Sequence, residues 1–343
     1  MISAAPPAPG FAAARSRRMV WLASMIGLVL LLMLASLAIG TRNVPVSDIV
    51  SALAGHDETI GEAVVALRIP RTLLAALAGA ALGLSGAIMQ GVTRNPLAEP
   101  GILGVNTGAA LAIVIGVAWF GISSAAAYIW VAILGAGVSA AFVYTIGSMG
   151  RGGPTPLKLA LAGTATAIAF SSLVTAIVLP RNDIAGGIRA WMIGGVGGAT
   201  FERLLPVLPF LLAGFVLAML SARKLNAMAL GDELARGLGE RTALARAVAA
   251  LAAILLCGAT TAICGPIVFV GLMVPHVCRL IIGIDQRWLL PFSALGGAAL
   301  LLACDIVGRI VARPGELDVG IVTGLVGAPF FIYIVRRQRV REL

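Results

Sequence analysis

Between Thr72 and Gln90 the chain carries no charged side chain, and between Ile102 and Phe120 it again carries none. A helix needs about 20 predominantly apolar residues to cross the ~30 Å hydrocarbon core of a bilayer, and each run approaches that length. The stretch between and into them, Arg94–Gly108 (RNPLAEPGILGVNTG), holds two prolines, a charge pair and three glycines. Asn95 before Pro96 and Glu99 before Pro100 are pushed out of the α region by the ring that follows. Pro100 can still open the next helix, because its missing N–H is one that the first turn could not use. Two apolar helices joined by a stiff polar hairpin are what a chain needs to turn round at a membrane.

The whole composition agrees with that reading. Of 343 residues, 59% are hydrophobic and 12% charged, with a mean hydropathy of +1.01. Soluble domains run near 25% charged, so this chain cannot cover its apolar surface with charge and reads as a polytopic membrane protein. Its 42 glycines suit helices that pack backbone to backbone in lipid. Cys257, Cys264, Cys278 and Cys304 lie in or beside apolar runs, and none stands in CxxC spacing. The spacing supports neither a metal cluster nor a disulfide framework, and the four read as small packing residues.

The apolar pattern predicts ten transmembrane helices. They run over Val20–Ile39, Thr72–Gln90, Ile102–Phe120, Ala125–Ile146, Leu157–Leu179, Leu204–Leu220, Ala243–Ile263, Ile267–Ile284, Leu289–Val311 and Val319–Val335. The first run is too long for a signal peptide and no A-x-A site follows it. Residues 1–18 read as an N-terminal tail, 19–336 as the ten-helix transmembrane domain, and 337–343 as a basic C-terminal tail. Gly79 and Gly83, then Gly104 and Gly108, stand in GxxxG spacing that lets a neighbouring backbone approach. Ile188–Gly198 reads as a short surface helix with Trp191 at headgroup level. Residues 223–241, RKLNAMALGDELARGLGER, read as a polar loop with a short amphipathic helix. His276 and Arg279 read as cationic groups at a helix C-terminus.

Ten crossings put both termini on one side. That side then holds most of the Lys and Arg, while the opposite side is slightly acidic. Lys/Arg asymmetry sets orientation, so both termini are expected in the cytoplasm. The same bias accounts for the net charge of +10 without nucleic acid.

Four stretches carry a family resemblance. RIPRTLLAALAGAALGLSGAIMQGVTRNPLAEPGILGVNTGA, starting at Arg68, resembles the signature of the FecCD family, permease subunits of ABC importers for ferric siderophores, haem and cobalamin. Leu225–Gly239, Gly265–Leu280 and Asp305–Phe331 resemble the family as well, in its order and at its spacing. The resemblance implies an all-α polytopic fold of type II ABC importer architecture, with ten helices per chain. It implies a homodimer, or a pairing with a homologous permease, with the path between protomers in the inner membrane of a bacterium. It also implies two separate ATPase subunits and an extracytoplasmic substrate-binding protein. No G-x-x-x-x-G-K-[ST] occurs, so ATP and Mg are expected on the partner ATPase and no cofactor on this chain.

Site residues follow by the same resemblance. The family's coupling element to the ATPase matches residues 225–239, carried here by Leu225, Ala229, Leu230, Gly231, Ala235, Leu238 and Gly239. A short amphipathic helix with apolar knobs can seat in a partner's groove. Arg68, Arg71 and Arg309 match arginines that engage carboxylates on the binding protein, a task that suits the planar guanidinium; Arg313 is a further candidate. For Arg309, a local pair with Asp305 four residues earlier is the competing reading. Asn95 and Leu97, with Thr155 and Pro156, match the residues that narrow the path at the cytoplasmic end. The favoured cargo is an iron chelate, first a ferric siderophore, with haem or cobalamin as alternatives. An ion-coupled secondary transporter is the alternative of another class, but no helix centre carries an obvious acid or base for a relay. A membrane enzyme is discounted, because no Ser/His/Asp or HExxH set is present.

Overall fold

The computed structural model describes residues 11–41, 44–56, 58–149 and 155–337, and these are all helix and connecting turns. In chain order the helices are α1 Phe11–Ala38, α2 Val46–Leu53, α3 Ile60–Thr93, α4 Val105–Phe120, α5 Ala125–Ser148, α6 Pro156–Val178 and α7 Asn182–Ile193. Then come α8 Phe201–Leu204, α9 Leu208–Ala229, α10 Asp232–Gly237, α11 Thr242–Cys264, α12 Val270–Ile282, α13 Gln286–Val311 and α14 Val319–Arg337. Seven helical segments are long and apolar enough to span a membrane, and α4, α12 and α14 are shorter apolar helices. Each of the ten expected runs thus contains a helix, seven of them within segments long enough to span. The tail expected before Val20 is helical from Phe11 onward. Residues 1–10, the glycine-rich part of the turn before Pro156, and the tail after Arg337 lie outside the described residues.

α3 is the spine. It packs on α1, α2, α9, α11, α12 and α13, and a Cβ on its inward glycines would collide with backbone. At Gly79 it would strike the Gly297 carbonyl, at Gly83 the Ser293 carbonyl, and at Gly86 the backbone of Gly271. With nothing but hydrogen on those Cα atoms, α13 and α12 approach to backbone contact, which is where packing forces between apolar helices in lipid come from. Gly108 meets Gly135 and Ser139 of α5 in the same way.

α3 starts twelve residues earlier than the apolar run suggested. Thr59 and Glu62 form a capping box: the Glu62 N–H donates to the Thr59 hydroxyl at 3.2 Å, and the Thr59 N–H donates to the Glu62 carboxylate at 2.9 Å. That pattern fixes a helix start against the polar composition around it. Arg68 and Arg71 thus lie inside α3 rather than at its mouth.

The bundle has two polar ends. One holds Arg18, Arg94, Asp232 and Asp285, and is called the Asp232 end. The other holds Arg71, Arg181, Arg203 and Glu316, and is called the Arg71 end. α4 and α12 have 16 and 13 residues, about 24 and 20 Å at 1.5 Å per residue, less than the ~30 Å core. Irregular chain makes up the difference. Gly104, in the left-handed region, stops the expected third helix from starting at Ile102. Phe269, with φ 69°, delays the eighth until Val270.

Candidate functional site

At the Asp232 end α9 continues through Arg223 to Ala229, so most of the expected loop is helix, and α10 follows after one turn. The amphipathic pattern divides the segment in two. Leu225, Met228 and Ala235 are buried against the bundle, whereas Leu230, Leu234 and Leu238 are 59%, 63% and 67% exposed. Gly231, with φ 110°, and Gly239, with φ 86°, make the turns before and after α10, a backbone region that side chains resist. Of the expected coupling residues, Leu230 and Leu238 project outward together with Leu234, and Ala229 and Gly239 are exposed beside them. Leu225 and Ala235 are anchors that hold this apolar surface in place.

The anchorage is polar as well. Asn226 donates to Asp285 at 2.7 Å and accepts the Gln286 N–H at 2.9 Å. Asp285 caps α13 through the Arg287 N–H. Asp232 receives Arg246 of α11 on both carboxylate oxygens at 2.8 Å and pairs with Arg94.

The proline hairpin begins at Arg94, which ends α3 in the left-handed region at φ 52°. The Asn95 side chain then accepts the Leu97 N–H at 3.0 Å, an Asx turn that stiffens the chain before Pro96 and Pro100 act on it. From there the segment climbs back into the bundle. Glu99 accepts the Phe269 N–H at 2.9 Å at the start of α12. Asn106 accepts from Cys257 at 2.7 Å and Thr261 at 3.4 Å, past the middle of α11. The hairpin is therefore not confined to a surface turn. Its second limb is irregular backbone at membrane depth, tolerated only where protein or a cavity surrounds it. The 3-10 turn Pro100–Leu103 packs on α6. Thr155 caps α6 by accepting the Lys158 N–H at 3.3 Å, and Pro156 is its first residue.

At the Arg71 end, the three arginines expected on the outer rim turn inward. Arg68 is buried and donates to the Leu37 and Ala38 carbonyls at 2.7 and 3.2 Å. Arg71 forks onto Asp305 at 3.1 and 2.9 Å and reaches Glu316 at 2.6 Å. Arg309 is 1% exposed; it pairs with Asp305 at 2.9 Å and donates to the Ser36 carbonyl and hydroxyl at 2.9 and 2.7 Å. The local pair with Asp305 is thus formed, and Arg71 joins it from α3. Nearby, burial pushes the Asp318 carboxyl above the usual aspartate range; Arg71 opposes that shift, and Glu316 and Asp305 add to it. Arg313 donates to the Gly40 carbonyl. At the Asp232 end, Arg279 lies in the last turn of α12 as expected, and its guanidinium bonds the Gln90 side chain at 2.8 Å.

A spine of small residues, a re-entrant proline hairpin and an exposed leucine triplet occur together here, and the matching sequence model covers residues 28–337. The chain belongs to the FecCD transport family. Among its relatives, the ferric enterobactin transport system permease protein FepD of Escherichia coli is 45% identical, over 91% of this chain and 94% of that protein. The hemin transport system permease protein HmuU of Yersinia pestis is 39% identical, over 80% of this chain and 83% of that protein. A solved inward-facing metal-chelate type ABC transporter superposes with a TM-score of 0.80 at 28% identity, covering 93% of this chain and 99% of its own.

Two features of this FecCD chain were not singled out from the sequence. Glu99 is a carboxylate at membrane depth, hidden by its place in a hairpin that reads as a surface turn. The Arg94–Asp232–Arg246 cluster joins three segments far apart in sequence. Its only local sign is an acidic residue opening α10, which any short helix could carry.

Proposed function

We propose that this chain is the permease subunit of an ATP-driven importer, and that it carries an iron chelate, first a ferric siderophore, into the cytoplasm. The observation that carries the reading is the leucine triplet. Leu230, Leu234 and Leu238, within α10 and just before and after it, stand out from a polar end of the bundle, and α10 is pinned by the ion pairs of Asp232. An exposed apolar patch rimmed by charge marks a protein contact, and the ATPase is the partner that an importer without its own phosphate-binding loop requires. The Asp232 end then faces the cytoplasm, with both termini. The chain pairs with a second copy or a homologous permease, the path runs between them, and Asn95, Leu97, Thr155 and Pro156 narrow it. The Arg71 end receives the binding protein. With Arg68, Arg71 and Arg309 turned inward, the exposed Glu316 and Arg313 are the charged groups at that end offered for the contact. The siderophore assignment is supported by relatives whose names specify ferric enterobactin, hydroxamate and citrate transport; haem and cobalamin follow.

Replacing Leu230 and Leu238 together by Asp is the direct test. The variant is expected to lose its ATPase on purification and to stop ATP-driven uptake; normal uptake would refute the role of the triplet. The cargo is tested by identifying what the cognate binding protein holds when purified. One observation favours the ion-driven alternative: Glu99 sits where a relay acid would be. Uptake by this chain alone under an ion gradient would establish that alternative.

A further inference from the structure

α10 is tied to the proline hairpin through one carboxylate. Asp232 accepts Arg246 on both oxygens at 2.8 Å and accepts Arg94 on Oδ1. The three side chains are 29%, 31% and 38% exposed. Partly exposed ion pairs of this kind add little to stability, so stability alone gives little reason for the arrangement. Its direction is more informative. Arg246 fastens Asp232 to the long helix α11, and Arg94 fastens it to the first residue of the hairpin. Arg94 is followed directly by the Asx turn at Asn95 and by Pro96, so its backbone and side chain together set where the hairpin begins. The other limb is fastened too, by the Glu99 bond to the Phe269 N–H at 2.9 Å. Residues 95–98 are thus a short, proline-stiffened strap held at one end by α10 and at the other by the start of α12.

We infer that Asp232 transmits movement: it fastens the strap carrying Asn95 and Leu97 to the helix that the ATPase pushes, so that a displacement of α10 moves the constriction. The inference rests on the proposed reading of α10 as the ATPase contact and deepens it. Charge-assisted bonds are short and directional, which suits a link that must pull as well as push. An apolar contact at this partly wetted site would let water in and slip. Without the carboxylate, Arg94 and Arg246 would face each other as like charges, and the strap would part from α10. The leucines that meet the ATPase are separate side chains and would remain.

The test uses the complete permease–ATPase complex in proteoliposomes with the cognate binding protein and its cargo. Uptake and ATP hydrolysis are measured in the same vesicles. Asp232→Asn is expected to keep its ATPase and to hydrolyse ATP within about twofold of the parent, while cargo moved per ATP falls about tenfold. Arg94→Gln is expected to do the same, and the double variant to be no worse than either single one, because both cut one link. Arg246→Gln leaves the Arg94–Asp232 link in place and is expected to retain most of its coupling. An unchanged uptake-to-ATP ratio in Asp232→Asn overturns the inference, as does loss of the ATPase from that variant, which would make Asp232 a docking residue. An Arg246→Gln variant as uncoupled as Arg94→Gln also overturns it. The Leu230→Asp, Leu238→Asp variant in the same vesicles separates the two levels: if it stays coupled, the reading of α10 has failed. If it uncouples while Asp232→Asn does not, only the transmission role has failed.

Discussion

Asp305 is 1% exposed and takes two guanidiniums, Arg309 from its own helix and Arg71 from α3. Removing one member of a buried ionic group leaves the others charged and without compensation, at a cost of about 3–5 kcal/mol. Asp305→Ala is therefore expected to lower the thermal midpoint of the detergent-solubilised protein sharply, and a midpoint unchanged within error would show the cluster to be solvated. Asp318 beside it behaves in the opposite sense. Its folded pKa is raised, first by burial, so the protonated form favours the fold. That contribution is fully present below the unfolded pKa and is lost as pH rises through the folded one. Asp318→Asn is expected to raise the thermal midpoint at pH 7, with a gain that vanishes near pH 3; a gain of equal size at both would contradict the assignment. At this scale the sequence was legible only where partners are close along the chain. The Asp305–Arg309 spacing announced a helical pair, but nothing near Arg309 announced Ser36, and nothing near Arg71 announced Asp305. Those contacts exist because α1, α3 and α13 meet at one end of the bundle, and they turn three expected rim arginines into internal struts.

Helices are the scale at which the sequence was most informative, since in lipid a backbone must satisfy itself and an apolar run has little choice but helix. The glycine spacing of α3 also told the truth about approach, and it sets a prediction. Gly83→Leu would place a side chain where the Ser293 carbonyl lies. It is expected to push α13 away and to cost about 1–3 kcal/mol as overpacking; wild-type thermal stability would mean that the contact is loose. Helix ends were less legible. The start of α3 was readable in Thr59 and Glu62 but was masked by polar neighbours. The late starts of α4 and α12 were not readable, because a left-handed phenylalanine at 269 has no composition signal and the hairpin's return into the membrane depends on partners in α11 and α12. Glu99 is where that missing information matters most. If it serves as a hydrogen-bond acceptor for the Phe269 N–H, Glu99→Gln retains ATP-driven uptake and Glu99→Leu loses it. If it relays protons, Glu99→Gln fails as well.

At the scale of the whole molecule, labour is divided between two ends. The Asp232 end presents a leucine surface fixed by ion pairs, the Arg71 end holds an internal charge cluster, and a glycine-packed spine joins the two. No G-x-x-x-x-G-K-[ST] stretch occurs in the chain, and the proposed function has the work arrive through contact with an ATPase. The measurement that tests this most directly is cargo uptake into proteoliposomes holding the permease with or without its ATPase, with the loaded binding protein outside. Uptake is expected only with the ATPase and ATP present, and to be insensitive to collapse of the ion gradients. Uptake by the permease alone, driven by an ion gradient, would contradict the account.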